Sequence, residues 1–357
     1  MTKYIIVRTV WVFIILITIL SLNFTILKLA PAFPPTTEEA RDIYYAKQVS
    51  DGYMTIELIE SSADISDIRS GEVEICDGCY SVDRGGDIIR MYKPVPLANQ
   101  YFSWVKNIVT RWDWGLSTRV QTNVPVFDLL KARIPVTLRL NLVALIFYIP
   151  AGFGLGIVAA LWKDSWLDNL ISFIVMVFIS VPSFVVMTLL VMYLGFRWEI
   201  LPTQWLASDQ AFSLVWKGYI IPVLGLSFGA IAGLTRFTRA ELTEVLTSEF
   251  LLLARTKGLK RSQAVVRHAM RNSMVPLVPT IIFSFVGLLS GSVIVEQIYG
   301  IPGTGRLFIQ ALTIGSLDYN MLLASTAFYT TIGLFAVLLV DLSYGIVDPR
   351  IRMGARK

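Results

Sequence analysis

Charge, histidine and cysteine are what this sequence has least of. Only 16% of its residues are Asp, Glu, Lys or Arg, with a single histidine, His268, and two cysteines, Cys76 and Cys79. So little His and Cys argues against a multi-ligand zinc or haem site, while carboxylate sites stay open. A chain that is 55% hydrophobic and so poor in charge is too apolar for an ordinary soluble domain. It reads as an all-α polytopic membrane protein. The formal charge of +5 is not a nucleic-acid signature.

Six segments are apolar and long enough to cross a hydrocarbon core of roughly 30 Å, which takes about 20 helical residues. They lie near 10–29, 136–161, 170–194, 219–234, 275–295 and 321–346. The fourth carries Gly225, Gly229 and Gly233, whose spacing puts them on one helix face suited to close packing. The first is read as a retained span, because it runs long and has no clear small-x-small cleavage site. Lys3, Arg8, Lys163, the run from Arg236 to Arg271 and Arg350, Arg352, Arg356 and Lys357 fall on one side. Arg197, Lys217 and Arg306 are the basic residues of the short segments opposite. That bias predicts both termini in the cytoplasm. The resulting division is 1–30, an N-terminus and first span; 31–135, an outer insertion with an interfacial helix; 136–346, a membrane core with a cytoplasmic loop over 236–275; and 347–357, a tail.

Charge is also missing from the middle of every expected span. Arg139, Glu296 and Asp341 all lie toward span ends. A charge at a helix centre costs roughly 2.5–3.5 kcal/mol and is kept where a mechanism needs it. Proton-coupled carriers commonly keep one. Its lack favours a channel powered from outside the membrane plane, with sodium coupling through backbone carbonyls still open. Gly300-Ile301-Pro302-Gly303-Thr304-Gly305-Arg306 is the only glycine-rich candidate for nucleotide. It lacks the Gly-Lys-Ser/Thr ending and follows a membrane helix, so it is expected to be a structural turn or re-entrant loop. No cofactor is expected in this chain.

Residues 35–95 are polar, with strand-like runs near 53–59, 72–75 and 87–92 between Gly and Asp turns, which predicts a small β-rich insertion between the first two spans. Tyr101, Phe102, Trp104, Val105 and Ile108 then fall at helical spacing, and Trp112-Asp113-Trp114-Gly115 turns the chain. This predicts an amphipathic interfacial helix with Trp112 and Trp114 as interface anchors.

The most informative stretch lies inside 236–275. Leu242, Val245, Leu246, Phe250, Leu253 and Ala254 extend the fourth span as one helix into the cytosol. Gly258 suits a helix stop, and Ser262 suits the N-cap of a second short helix running to about Asn272. Pro276 marks the start of span five. Two readings stand equal on composition: a stiff lever gripped by a soluble partner, or a basic loop against anionic lipid.

Ala254-Arg255-Thr256-Lys257-Gly258, followed by Arg267-His268-Ala269-Met270-Arg271-Asn272 and a proline, resembles the cytoplasmic loop of ABC-importer permeases, more narrowly the oligopeptide/dipeptide permease family. Five further stretches are similar to that family: Leu27-Lys28-Leu29-Ala30-Pro31, Trp114-Gly115-Leu116-Ser117, Ile134-Pro135-Val136-Thr137-Leu138-Arg139-Leu140, Glu296 through Leu307, and Val340 through Arg352. The resemblance implies a multi-pass subunit of a bacterial inner (cytoplasmic) membrane that does no covalent chemistry. It implies a second similar permease, two ATPases carrying ATP and Mg, an extracytoplasmic peptide-binding protein and membrane lipid as partners, with no nucleic acid. It makes Ala254, Arg255, Lys257, Gly258, Leu259, Ser262, Arg267 and His268 the ATPase-coupling residues. Substrate-binding residues stay unassigned. Related permeases carry peptides, nickel complexes or glutathione. An ion-coupled carrier working alone and a membrane enzyme or sensor with an outer domain are the competing classes; no nucleophile–base–acid set supports the last. The enlarged insert at 35–95 departs from the family. It reads as an outer β subdomain touching the binding protein or capping the pore mouth, or as a solvated spacer. On the oxidising side, Cys76 and Cys79 are expected to form a tight local disulfide, with two free thiols as the alternative.

Overall fold

The computed structural model describes residues 2–30, 35–60, 65–66, 68, 79–83, 88–206, 212–289, 293–313 and 317–347. It is mainly helical. In chain order the elements are α1 (Thr2–Leu29), α2 (Glu38–Ser50), β1 (Met54–Ile59), β2 (Tyr80–Asp83), β3 (Ile89–Pro94), α3 (Leu97–Arg111) and α4 (Val126–Leu161). They continue as α5 (Trp166–Ser180), α6 (Ser183–Leu190) with a π-helical end Val191–Arg197, α7 (Phe212–Leu246), α8 (Glu249–Thr256) and α9 (Arg261–Ala264). A π turn Val265–Ala269 leads into α10 (Met270–Leu289), then α11 (Val293–Ile298), α12 (Thr304–Ala311) and α13 (Tyr319–Val347).

Among the described residues, four helices are long and apolar enough to cross a membrane: Ile5–Leu29, Val126–Leu161, Val215–Leu246 and Tyr319–Ser343. A fifth crossing is made if the pair α5 and α6 counts as one span. That pair is bent by 95°, where a straight third span was expected. The cause is local. Pro182 has no N–H to donate and forces Val181 out of the helical region, to φ −95° and ψ 121°. The fifth expected span also differs. α10 starts at Met270 and carries Pro276 and Pro279 inside it, and residues 290–292 lie outside the described ones.

The chain forms two compact units. One comprises Met1–Ile14, Arg133–Arg306 and Tyr329–Lys357; the other comprises Ile15–Ala132 and Leu307–Phe328. The core of the first unit gathers Leu140, Ala144, Met187, Ile221, Val295, Tyr299 and Ile301. The expected glycine face is used at one position. A Cβ on Gly225 would meet Met187 at 3.0 Å, while Gly229 and Gly233 have nothing within 4 Å. The tight helix crossing is made instead by α4 against α7. There a Cβ on Gly152 would meet Leu234 at 2.9 Å, and one on Gly156 would meet the Thr235 carbonyl at 2.8 Å.

In the second unit the sheet is antiparallel in the order β1-β3-β2, with Ile56 opposite Tyr92 and Tyr80 opposite Tyr92 on the other side. The run at 72–75 lies outside the described residues, and β2 forms later at 80–83. Helix α2 was not expected in this polar stretch. Glu38 and Glu39 favour its first turn electrostatically, and Tyr45 stacks on Tyr80 and Tyr92 at 4.3 and 5.2 Å, which fastens the helix to the sheet. Helix α3 forms as expected and ends on Trp112 in the left-handed region (φ 54°). Trp114 is not a free interface anchor, because it packs edge-on against Trp104 in a cluster with Phe24, Tyr53 and Leu323. Cys79 holds no free thiol, while Cys76 lies outside the described residues.

Candidate coupling site

The loop between α7 and α10 is an elbow with one apolar face and one basic face. The single extended helix expected there is broken. α7 stops at Leu246, where Thr247 and Ser248 return their hydroxyls to backbone carbonyls of the preceding turn, and α8 restarts at Glu249. Such side-chain-to-backbone bonds compete with helix propagation. α8 then ends in a Schellman motif. The Gly258 N–H bonds the Arg255 carbonyl at 3.0 Å, the Leu259 N–H bonds the Ala254 carbonyl at 3.4 Å, and Gly258 sits at φ +92°. Only glycine takes that conformation freely, so the Ala-Arg-x-x-Gly-Leu spacing is the chemical specification of this turn.

The second arm is capped earlier than expected. Lys260, not Ser262, holds the N-cap position, and the Gln263 side chain accepts the Lys260 N–H at 3.3 Å. Ser262 is exposed inside the first turn. Val265–Ala269 form a π turn containing Arg267 and His268, so the helix running to about Asn272 is instead continuous with α10.

The elbow is fixed from below. Leu251, Ala264 and Ala269 are buried with Ala160 of α4 and Leu242 of α7, and Leu259 packs against them. Its outer face carries Arg255, Lys257, Lys260, Arg261, Arg267, His268 and Arg271, all exposed. Between these cations lie exposed Leu252, Leu253 and Val266. Of the eight residues singled out from sequence, Ala254 and Leu259 are half-buried and build the turn, while the other six are exposed on it.

Two polar clusters tie helices of the first unit together: one joins α5 to α7, the helix from which the elbow departs, and the other joins α11 to α4. Asp168 of α5 takes a two-pronged bond from Arg239 of α7, with Nε to Oδ1 at 2.6 Å and Nη2 to Oδ2 at 2.7 Å. Fully buried Glu296 of α11 accepts from the Thr137 hydroxyl at 3.0 Å and the Arg306 N–H at 3.0 Å. The Thr304 N–H in turn bonds Thr137 at 2.9 Å, and the Arg306 side chain bonds the Gly300 carbonyl at 2.6 Å. The Gly300–Arg306 stretch is therefore a turn organised around the protein's own carboxylate, which takes the place a phosphate would need.

Residues 152–353 match the model of the family described as binding-protein-dependent transport system inner membrane component. The matched region contains the elbow, α7, the end of α4 that carries Ala160, and the Glu296 turn. The chain belongs to this transport family. It is 36% identical over 283 residues to the dipeptide transport system permease protein DppB of Lactococcus lactis subsp. cremoris, covering 79% of this chain and 86% of the relative. It is 33% identical over 257 residues to the oligopeptide transport system permease protein OppB of Salmonella typhimurium, covering 72% and 81%. A solved inward-facing structure of the MetNI methionine ABC transporter covers 64% of this chain and 96% of its own, at 18% identity and a TM-score of 0.46.

As an inner-membrane transport component, the chain is a multi-pass membrane protein and a transport subunit, not an enzyme. The family works with ATPases and a solute-binding protein. Two contacts between residues distant in sequence escaped sequence reasoning. Asp168 and Arg239 stand 71 positions apart, and only the helix crossing brings them together. Thr137 and Glu296 lie 159 positions apart and meet through the Thr137 hydroxyl.

Proposed function

We propose that this chain is a channel-forming permease subunit of an ATP-driven importer, translocating peptides that an extracytoplasmic binding protein delivers. The observation that carries this reading is the elbow: a Schellman-stopped helix pair, rooted in α4 and α7 by Leu251 and Ala269, with a basic and apolar face turned outward. A push on that face reaches the ends of two membrane helices through the packing of Leu251, Ala264 and Ala269 on Ala160 and Leu242. The names of the relatives, dipeptide and oligopeptide permeases, support peptide as the cargo.

The assembly is this permease with a second similar one, two ATPases holding ATP and Mg, and the binding protein. Six spans with both termini in the cytoplasm complete the reading. The Arg8–Asp341 ion pair at 3.3 Å supports termini on one side, since it joins the start of α1 to the last turns of α13. ATP favours one state of the ATPases, and the elbow passes that bias to the membrane helices. Ala254, Arg255, Lys257, Gly258, Leu259, Ser262, Arg267 and His268 are the coupling residues on this reading. The Cys76–Cys79 bond is part of it as a stiffener of the outer insertion.

The test is uptake of labelled di- and oligopeptides into vesicles holding this chain with its ATPases, second permease and binding protein. Uptake that needs ATP and stops with vanadate is expected. Accumulation by this chain alone under an ion gradient would establish the carrier reading instead. Competition by nickel complexes or glutathione, without competition by peptides, would keep the importer and change its cargo.

A further inference from the structure

A cavity of about 420 Å³ opens between α5 and α7, at the end of these helices that leads to the elbow. One wall is apolar: Ile171, Val175, Met176 and Ile179, with Met176 and Ile179 largely exposed. The other wall is Thr235, Arg236, Arg239 and Ala240 of α7. Its polar side chains are nearly all spoken for. Arg239 is bonded to Asp168, as is Ser172 at 3.4 Å. Thr235 donates to the Gly152 carbonyl at 3.2 Å, and Ser180 to the Met176 carbonyl at 2.8 Å. Arg236 is the exception. It is exposed and makes no hydrogen bond or ion pair among the described residues.

The level of this guanidinium is marked by tryptophan. Trp162 and Trp166 flank the turn that starts α5 and are 52% and 71% exposed. Exposed tryptophan sits at the boundary between hydrocarbon and headgroups. Arg236 lies on α7 one helical turn from Arg239, which bonds Asp168 in the first turn of α5. The cation therefore stands just inside the headgroup layer, beside an apolar channel about as long as the distance from Ile171 to Ile179, two helical turns. Asp168 offers no competing negative charge because Arg239 neutralises it.

We propose that this cleft is a binding site for one anionic phospholipid, with its phosphate on Arg236 and an acyl chain along Val175, Met176 and Ile179. The shape and charge select that class. A hydrophilic peptide would meet an apolar wall whose few hydroxyls already have partners. An unpaired guanidinium beside a hydrocarbon-facing groove fits a molecule that carries both a phosphate and a hydrocarbon tail. A lipid there would brace α5 against α7, the helix from which the elbow departs.

The experiment uses the full chain in its purified complex. Native mass spectrometry counts retained lipid after exchange into vesicles of phosphatidylglycerol or phosphatidylcholine, for wild type, Arg236→Gln and Arg236→Lys. One phosphatidylglycerol should be retained per copy of this chain. Its affinity should fall about fivefold in Arg236→Gln, the effect of losing one basic contact near a membrane surface, and recover in Arg236→Lys. Equal retention of both lipids, or equal retention by wild type and Arg236→Gln, overturns the proposal. So does displacement of the lipid by millimolar inorganic phosphate, which would make this an anion site with no role for the tail. So does an efficient Met176→Cys crosslink to another subunit with no lipid retained, because a protein then covers the cleft.

Discussion

Ser117 donates its hydroxyl to the Asp318 carboxylate at 2.6 Å, joining positions 201 apart. The same carboxylate oxygen accepts the N–H groups of Thr118, Arg119 and Val120 at 3.0, 3.1 and 3.3 Å, and the other oxygen takes the Met321 N–H at 3.1 Å. Asp318 is fully buried, and no cation pairs with it among the described residues. Backbone dipoles and one hydroxyl hold the charge, much as they would hold a bound anion. The carboxylate thus clamps the turn after α3 to the start of α13.

Asp318→Ala would leave that hydroxyl and those amides without an acceptor. Each buried donor left unpaired costs about 1–3 kcal/mol, so a loss of about 3 kcal/mol or more is expected in the second unit. Asp318→Asn keeps the shape and one acceptor and should cost less. Thermal unfolding, read together with protease cleavage between residues 117 and 125, checks this. An unchanged melting temperature for Asp318→Ala would show that the clamp is idle.

Gly258 is a cleaner case because space and conformation separate there. A Cβ at Gly258 meets nothing within 4 Å, yet φ is +92°. Gly258→Ala should therefore cost only the left-handed strain, about 1–2 kcal/mol, confined to the turn. Gly258→Val should be worse, and Gly258→Asn, which tolerates that region better, should keep most activity. On the proposed function, peptide uptake per ATP hydrolysed should fall from wild type through Gly258→Asn and Gly258→Ala to Gly258→Val, at equal membrane levels. If the Gly258→Val variant imports as well as wild type, the elbow is not the joint that transmits the push.

The Gly303 position reverses that logic. A Cβ there would collide with the Glu296 carboxylate, and one on Gly305 would lie 2.9 Å from the Val293 backbone. Glu296 is fully buried and cannot swing away. Gly303→Ala should lower the amount of folded protein in the membrane severalfold, and Gly303→Ala with Glu296→Ala should recover part of it by removing the collision. Fluorescence size-exclusion profiles of the tagged chain give the measurement. Equal profiles for wild type and Gly303→Ala would mean that the turn repacks freely.

The long apolar spans and Gly258 were readable because each depends on composition or on one residue's backbone freedom. The bend at Val181 was also written in the chain, in the Ser180-Val181-Pro182 step, but the unbroken apolar run around it masked the proline. The break at Thr247 was hidden for a similar reason: helical spacing continues through it, while the hydroxyl bonds that stop the helix leave no periodic trace. Asp168, Arg239, Asp318 and the Thr137–Glu296 contact were not legible at all. Each depends on partners 71 to 201 positions away, and local pattern carries no information at that range. The unpaired Arg236 looked like one more positive-inside residue until its neighbours proved to be occupied.

In the second unit, Lys47 stands between two carboxylates, 2.9 Å from Asp51 and in direct contact with Asp113. The two aspartates are shifted in opposite directions. Burial pushes Asp51 above the ordinary carboxylate value, and Lys47 only partly offsets it. Burial pushes Asp113 upward too, but the Lys47 ammonium and the Gly115 N–H outweigh it and hold Asp113 below that value. The stabilisation from Asp113 is complete above about pH 4, the unfolded value, and is lost as pH falls through its lower folded value. Asp51 contributes the reverse: the fold gains stability as pH falls through its raised value toward about pH 4. Melting curves of the purified protein between pH 7 and 3 separate the two. Asp113→Asn should start about 1 kcal/mol below wild type, the scale of a partly exposed ion pair, and the two curves should converge below pH 4. The difference between wild type and Asp51→Asn should instead shift in favour of wild type as acid is added. Parallel curves for all three proteins would mean that Lys47 organises neither carboxylate.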